Sequence, residues 1–231
     1  MTTRYRGFSK AELLATIDHT FLKPEGTPEQ ELEVVAQARA LGVKAACIRP
    51  SGLAAAKELL QDSAVLLCTV IGFPHGNVPT AVKVLETQLA VAAGAVEVDM
   101  VINPGLLVGR REAEVETDIR EVAEAAHAGG AILKVILETC YLDDITIARG
   151  CQAAVSAGAD FVKTSTGFGS GGATVEVVRL MREQVGSTVG VKASGGIRTL
   201  DKAIDMIEAG ASRIGCSATV EILEEFDRLA D

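Results

Sequence analysis

The sequence predicts an α/β protein, a TIM-type (β/α)8 barrel with a short N-terminal helix, and three observations favour this fold. The chain has 231 residues, of which 48% are hydrophobic, enough for one large core. Aromatic residues make up only 3%, as expected where aliphatic strands are covered on both faces. Short β-branched runs alternate with longer stretches of helical period. We expect a single barrel domain over residues 1–231, because no linker or low-complexity tract divides the chain.

Eight short runs have the composition of buried parallel strands, and a helix over residues 9–15 precedes them. The predicted strands are 17–20, 43–48, 65–71, 96–102, 132–137, 161–164, 189–193 and 213–216. Glycines in small-residue turns mark helix ends, and the intervals Gly42 to Gly94 and Gly158 to Gly210 are equal in length. Right-handed crossovers between eight such strands close a barrel, with an open doubly wound sheet as the alternative.

Composition argues against several classes of partner. A net charge of −9 and a pI near 5.0 disfavour nucleic acid and anionic membranes. The N-terminus has no signal-peptide pattern, and the three histidines have no metal-ligand spacing. We therefore expect a cytoplasmic protein with no cofactor and no metal. The cysteines form no CxxC pair that would indicate zinc or a disulfide framework: they are Cys47, Cys68, Cys140, Cys151 and Cys216.

Charged residues interrupt two predicted strands that should be apolar. Glu97 and Asp99 alternate in the fourth strand and so share one face. Lys134 and Glu138 should likewise share one face of the fifth. Since an uncompensated buried charge costs several kcal/mol, we expect these groups to pair inside the barrel. Glu97 lies a layer deeper than Asp99, so a structural role is expected for it.

The sixth and seventh predicted strands end in lysines, at Lys163 and Lys192. The carboxyl ends of barrel strands meet at the mouth, where barrel enzymes carry out catalysis. A second cation nearby favours a neutral lysine amine, which can attack a carbonyl and form a Schiff base. A carboxylate such as Asp99 can move protons. The alternative is a purely structural network of buried ion pairs.

Loops rich in glycine and serine follow the last three strands. Glycine lets the backbone approach an anion, and the loops after the seventh and eighth strands of barrels often bind phosphate. The alternative is that these glycines only form tight turns. No Walker or dinucleotide fingerprint is present, so no nucleotide cofactor is implied.

Four segments together resemble the deoxyribose-phosphate aldolase family: residues 17–24 (IDHTFLKP), 96–103 (VEVDMVIN), 161–167 (FVKTSTG) and 191–198 (VKASGGIR). The matching segments are spread in order along the strands, so the resemblance covers essentially the whole chain. It implies a class I aldolase that reversibly cleaves 2-deoxy-D-ribose 5-phosphate to D-glyceraldehyde 3-phosphate and acetaldehyde. It also implies a homodimer and no cofactor.

The resemblance assigns roles to individual residues. It implies that Lys163 forms the Schiff base, that Lys192 is its cationic neighbour and proton-relay partner, and that Asp99 is the relay carboxylate. Lys134 is expected to support Asp99. The residues expected to bind the substrate or its phosphate are Asp18, Thr20, Cys47, Thr164, Gly167, Gly195, Gly196 and Ser217.

Three other functions stay open from the sequence. Another lysine-dependent barrel aldolase could act on a keto acid, whose carboxylate would require an arginine such as Arg49 or Arg198. A phosphate-binding isomerase would transfer protons without a covalent lysine. A binding barrel would use its lysines without catalysis.

Overall fold

The computed structural model describes residues 3–230 and contains a closed barrel of eight parallel strands. A small hairpin and a helix precede it: β1 (Arg4–Tyr5), β2 (Phe8–Ser9) and α1 (Lys10–Leu14). The barrel strands are β3 (Ile17–Phe21), β4 (Ala45–Ile48), β5 (Leu66–Ile71), β6 (Glu97–Val101), β7 (Ile132–Ile136), β8 (Phe161–Lys163), β9 (Gly190–Ser194) and β10 (Arg213–Cys216). Neighbouring strands are consecutive in sequence, and β10 pairs with β3 to close the ring. The barrel prediction is confirmed, and the open sheet is excluded.

Helices surround the barrel and connect its strands. They are α2 (Pro28–Leu41), α3 (Leu53–Leu59), α4 (Thr80–Ala92), α5 (Pro104–Val108), α6 (Glu112–Ala128), α7 (Asp144–Ser156), α8 (Val175–Val185), α9 (Leu200–Glu208) and α10 (Thr219–Leu229). Short 3-10 turns follow β4 and β7, at Pro50–Gly52 and Thr139–Tyr141. No helix in residues 3–230 is long and apolar enough to cross a membrane.

Local sequence signals explain where several helices begin and end. Ser9 caps α1 and Thr27 caps α2, each in a reciprocal capping box with the residue three positions later. Gly42 ends α2 in the left-handed conformation, as predicted. The predicted helix 9–15 is α1 together with its two capping residues.

The eight predicted strands are all present, and their ends differ by at most two residues. The largest shift is in β4, which begins at Ala45 rather than at residue 43. The sequence reading missed β1, β2 and α5. Two-residue strands are too short to show a periodic pattern. A start signal for α5 was present in the sequence, because Asn103 is a favourable N-cap residue and Pro104 is favourable in the first helical turn.

The barrel interior is divided into an apolar half and a charged half. Ala45, Cys47, Cys68 and Val70, from β4 and β5, form a buried cluster separate from the main core between strands and helices. The remaining strands carry the charged side chains discussed below. The charged half of the interior therefore lies against a buried wall that carries no charged side chain.

Candidate active site

Two lysines from adjacent strands meet at one carboxylate oxygen. Lys163 of β8 and Lys192 of β9 pair in register. The Nζ atom of each donates to Oδ2 of Asp99 on β6, at 2.7 Å in both cases. The two amines are therefore no further apart than twice that distance. All three side chains are buried, so their charges act on one another with little screening by water.

Lys134 holds the other oxygen of this carboxylate. Its Nζ donates to Asp99 Oδ1 at 2.7 Å and lies 2.7 Å from Glu97 Oε2 and 3.2 Å from Cys68 Sγ. Asp99 and Lys134 are register partners on β6 and β7, so the contact follows directly from strand pairing. Lys134 thus fixes the orientation of Asp99, as the sequence suggested.

Arg213 completes the charged interior, and the sequence reading missed it. Its guanidinium donates twice to Glu97, at 2.9 and 3.0 Å, and to Asp18 Oδ1 at 2.6 Å. It also lies over the ring of Phe161, 5.4 Å from the centroid. The sequence did contain a signal for Arg213, because it is a charged residue at the first position of the last predicted strand. Residues two apart in a strand share a face, so Arg213 lies on the same face as Gly215.

The structure corrects the expected position of Asp18. The carboxylate was expected to bind the substrate, but it is fully buried among Arg213, Lys192 and Lys134. Its Oδ2 lies 2.5 Å from Lys192 Nζ, with no hydrogen bond of ordinary geometry among the described residues. Asp18 is therefore a member of the ion network and does not line the cavity described below.

Glu138 also departs from expectation, because it does not share a site with Lys134. Strand β7 ends at Ile136, and Glu138 adopts a left-handed conformation (φ 55°) that turns it away from the strand pattern. Its carboxylate accepts hydrogen bonds from the backbone N–H and the hydroxyl of Thr166. Glu138 thereby anchors the loop that follows Lys163.

The ion network strongly favours the charged forms of Asp18, Asp99, Lys134 and Lys192. Burial alone would raise the pKa of Asp99, but Lys134, Lys163 and Lys192 outweigh it and hold that pKa well below its usual range. For Asp18 the same competition lowers the pKa to about 2, chiefly through Lys192. Burial would lower the pKa of Lys134 and of Lys192, but the neighbouring carboxylates raise both.

A cavity of about 240 Å³ opens beside Lys163 at the carboxyl ends of the strands. Five of the expected binding residues line it, namely Thr20, Gly167, Gly195, Gly196 and Ser217. The sequence did not assign Lys23 and Phe168, which also line it together with Arg198. Larger clefts lie around the helices and the strand ends away from the mouth, and none is lined by Lys163, Lys192 or Asp99, so the small cavity is the relevant one.

Cys47 and Thr164 do not line this cavity. Cys47 is fully buried beside its register partner Cys68. The Thr164 hydroxyl donates to the carbonyl oxygen of Ser194 at 3.1 Å and accepts from the Ser194 N–H at 3.0 Å. Thr164 thus joins the loops after β8 and β9.

Cys47, Cys68 and Asp99 bring three potential metal ligands within 4.8 Å of one another. The arrangement does not suit a cation, because the Lys134 ammonium already contacts both Asp99 and Cys68. Burial also raises the pKa of Cys68 well above its usual value, which disfavours the thiolate that a metal requires.

Comparison with known proteins gives one consistent result. Residues 13–224 match the family model for DeoC/LacD family aldolases. A deoxyribose-phosphate aldolase from Bacillus cytotoxicus is 54% identical over 207 residues, covering 90% of this chain and 92% of the relative. One from Thermococcus kodakarensis is 50% identical over 218 residues, covering 94% and 97%. The tetrameric deoxyribose-phosphate aldolase from Aeropyrum pernix superposes with a TM-score of 0.89 at 36% identity, covering 96% of this chain and 93% of that one. The chain belongs to the DeoC/LacD family of aldolases.

Proposed function

We propose that this protein is a class I deoxyribose-phosphate aldolase that reversibly cleaves 2-deoxy-D-ribose 5-phosphate to D-glyceraldehyde 3-phosphate and acetaldehyde. One observation carries the proposal: Lys163 and Lys192 share a single oxygen of Asp99 beside the cavity. The substrate named for the relatives supports the choice of sugar phosphate.

Lys163 is the nucleophile in this reaction, because it alone of the three network lysines lines the cavity. Its neutral amine adds to the C1 aldehyde of the open-chain sugar, and loss of water gives the imine. Removal of the C3 hydroxyl proton breaks the C2–C3 bond and releases D-glyceraldehyde 3-phosphate. The electron pair moves into the enamine, which is then protonated at C2. Hydrolysis releases acetaldehyde and the free lysine.

Asp99 and Lys192 serve this sequence by moving protons and holding the amine in place. Lys192 remains a cation, since Asp18 and Asp99 raise its pKa, and it disfavours a second positive charge on Lys163. Asp99 contacts both amines through one atom, so a proton passed between them travels only hydrogen-bond distances.

The loops after β8, β9 and β10 would bind the phosphate. Gly167, Gly195 and Gly196 all have positive φ, and Ser217 lies across the same cavity. Backbone N–H groups in such loops make good anion ligands, and Arg198 adds positive charge to the lining.

Borohydride trapping tests the nucleophile directly. The protein is incubated with acetaldehyde and sodium borohydride, and the modified residue is located by peptide mass spectrometry. A reduced two-carbon adduct on Lys163 is expected. Lys83 is the internal control, since it is also fully buried in an ion pair, with Asp118, but lies outside the cavity. An adduct on Lys192 instead would reverse the roles, and no specific adduct would contradict the aldolase assignment.

A substrate panel separates the proposed aldolase from its alternatives. Cleavage of 2-deoxy-D-ribose 5-phosphate should exceed that of keto-acid aldols. Arg198 is the one arginine that lines the cavity, and in this proposal it binds the phosphate, so no second arginine in the lining is left for a keto-acid carboxylate. Isomerisation without a trapped lysine would instead favour a proton-transfer barrel.

The assembly and the cellular location are also proposals. We propose one barrel domain per chain, a homodimer and a cytoplasmic location. Three side chains spaced along α4 support an interface between copies, since Val82, Leu85 and Leu89 are 40%, 54% and 62% exposed. Light scattering after size-exclusion chromatography measures the state, and the tetrameric relative shows that dimer is not the only outcome.

A further inference from the structure

We infer that Glu97 and Arg213 are positioning residues that set the charge balance of the barrel interior, and that this balance makes Lys163 a neutral amine. The inference rests on the proposed function, because it concerns how the nucleophile is prepared. Neither side chain lines the cavity, so both act through other groups.

The interior contains one more cationic side chain than it has anions. Ion pairs within 4 Å connect all of its members. The cations are Lys134, Lys163, Lys192 and Arg213, and the anions are Asp18, Glu97 and Asp99. Uncompensated charge is costly in a buried site, so the network is most stable when one cation is neutral.

Pairing shows which cation that is. Lys192 contacts two carboxylates, Arg213 contacts two, and Lys134 contacts three. Lys163 contacts one carboxylate within residues 3–230, that of Asp99, and shares the contacted oxygen with Lys192. Deprotonating Lys163 therefore loses the fewest ion pairs. It is also the lysine beside the cavity, where a neutral amine is useful.

Arg213 provides the surplus charge without approaching the substrate. It is nearly fully buried, binds Glu97 through two N–H groups and packs on Phe161. Without its charge, three lysines would balance three carboxylates, and Lys163 would keep its proton. Without the charge of Glu97, the surplus would double, and the neutral amine would be favoured further.

The thiols of Cys47, Cys68 and Cys216 also face this network. Burial raises the pKa of Cys68 well above its usual value and that of Cys216 to about 11, so both stay neutral thiols. A hydrogen bond from Cys68 lowers the pKa of Cys47, so Cys47 must be controlled for. The experiment is therefore repeated in a Cys47→Ser background, where the same directions of change are expected.

The test is the pH dependence of kcat/KM for 2-deoxy-D-ribose 5-phosphate and of borohydride trapping by acetaldehyde. Arg213→Met should move the acidic limb of both profiles to higher pH, and Glu97→Gln should move it to lower pH. Each shift should be about one pH unit, as expected for one buried charge at an effective dielectric constant near 20. The double variant restores a single surplus cation and should return the limb to near its original position.

A merely structural role would not give opposite shifts that cancel. If both single variants lose activity with the limb unmoved, or if both limbs move in the same direction, the inference is wrong. Arg213→Lys keeps the positive charge but offers fewer hydrogen-bond donors. The acidic limb of its pH profiles should stay at the pH of the unaltered protein, even if the midpoint temperature of unfolding falls. If Arg213→Met does not fold, Glu97→Gln still decides, because a limb that stays or rises contradicts the inference.

The two proposals fail in different ways. If the unaltered protein yields no lysine adduct with acetaldehyde, the proposed function fails. If it yields the Lys163 adduct but the variant profiles coincide, only the charge-balance inference fails.

Discussion

At the scale of single residues, Asp99 is the point on which the site depends. Its two oxygens accept from Lys163, Lys192 and Lys134, at 2.7 Å each. A neutral amide in its place would offer one acceptor and two donors, and the donors would face ammonium groups. The carboxylate is thus needed both for the proton relay and for holding three lysine side chains in a buried interior.

We expect Asp99→Asn to lower kcat by roughly 10²-fold or more, in line with the loss of a general acid–base group. Stability should also fall by about 3–5 kcal/mol, because buried cations lose their partner. Steady-state kinetics and urea unfolding measure the two effects.

Asp118→Asn is the matched control for this variant. Asp118 pairs with the fully buried Lys83 at 2.6 Å, outside the cavity. It should lose stability and keep kcat. Equal losses of kcat in the two variants would show that Asp99 acts only through stability.

At the scale of elements, the contact between β9 and β10 is tight at Gly215, which also lines the cavity. A Cβ on Gly215 would lie 3.1 Å from Lys192 Cε and 3.1 Å from Ser194 Cβ. The missing side chain gives Lys192 room to cross β10 and reach Asp18. A methyl group there would press on Lys192 and shift its amine relative to the shared oxygen.

Gly215→Ala should therefore lower kcat about tenfold or more, since small misplacements of catalytic groups are costly. Gly105→Ala in α5 is the control, because its Cβ would meet Asn103 Oδ1 at a similar 3.2 Å. Comparable kcat values for Gly215→Ala and Gly105→Ala would contradict this account of Lys192.

The loop after β8 depends on Glu138, which binds Thr166 just before Gly167. Glu138→Gln loses a charge-assisted acceptor and should loosen the loop. We expect KM for 2-deoxy-D-ribose 5-phosphate to rise several-fold with kcat little changed. Kinetics with unphosphorylated 2-deoxy-D-ribose give the control, because that substrate does not use the phosphate loops. An equal rise in KM for both sugars would show that Glu138 does not act through phosphate binding.

At the scale of the whole molecule, the buried carboxylates make stability depend on pH. The pKa of Asp18 is lowered to about 2 in the folded protein from an ordinary value of 3.8. Its contribution is therefore present above about pH 4 and is lost as the pH falls towards 2. The lowered pKa of Asp99 adds to this loss from about pH 4 downwards and extends it to lower pH.

We expect the free energy of unfolding to fall on the order of 2 kcal/mol between pH 4 and pH 2 on account of Asp18 alone. Urea titrations at a series of pH values measure the slope. Asp18→Asn is less stable at neutral pH, but its slope in this window should be shallower. A slope unchanged by Asp18→Asn would contradict the lowered pKa.

The fold could be predicted from sequence because it depends on hydrophobic periodicity and on glycine turns, which are local features of the chain. Eight aliphatic runs and their glycine turns gave every barrel strand, and motif residues gave the Lys163, Lys192 and Asp99 cluster. The depth of each charged side chain along the barrel axis could not be predicted. Asp18 was expected to bind the substrate and Arg213 was overlooked, because strand tilt and stagger decide which charges meet across the barrel.

The contact between Asp18 and Arg213 has a consequence for how the chain is made. These residues lie 195 positions apart, on the two strands that close the ring. Strand β10 pairs with β9 on one side and with β3 on the other, so a nascent chain that lacks it cannot close the ring. The contacts of the Arg213 guanidinium with Asp18 and Glu97 therefore form only when the ring closes. Chains that stop before β10 should therefore keep unpaired edges on β9 and β3 and remain open to proteases.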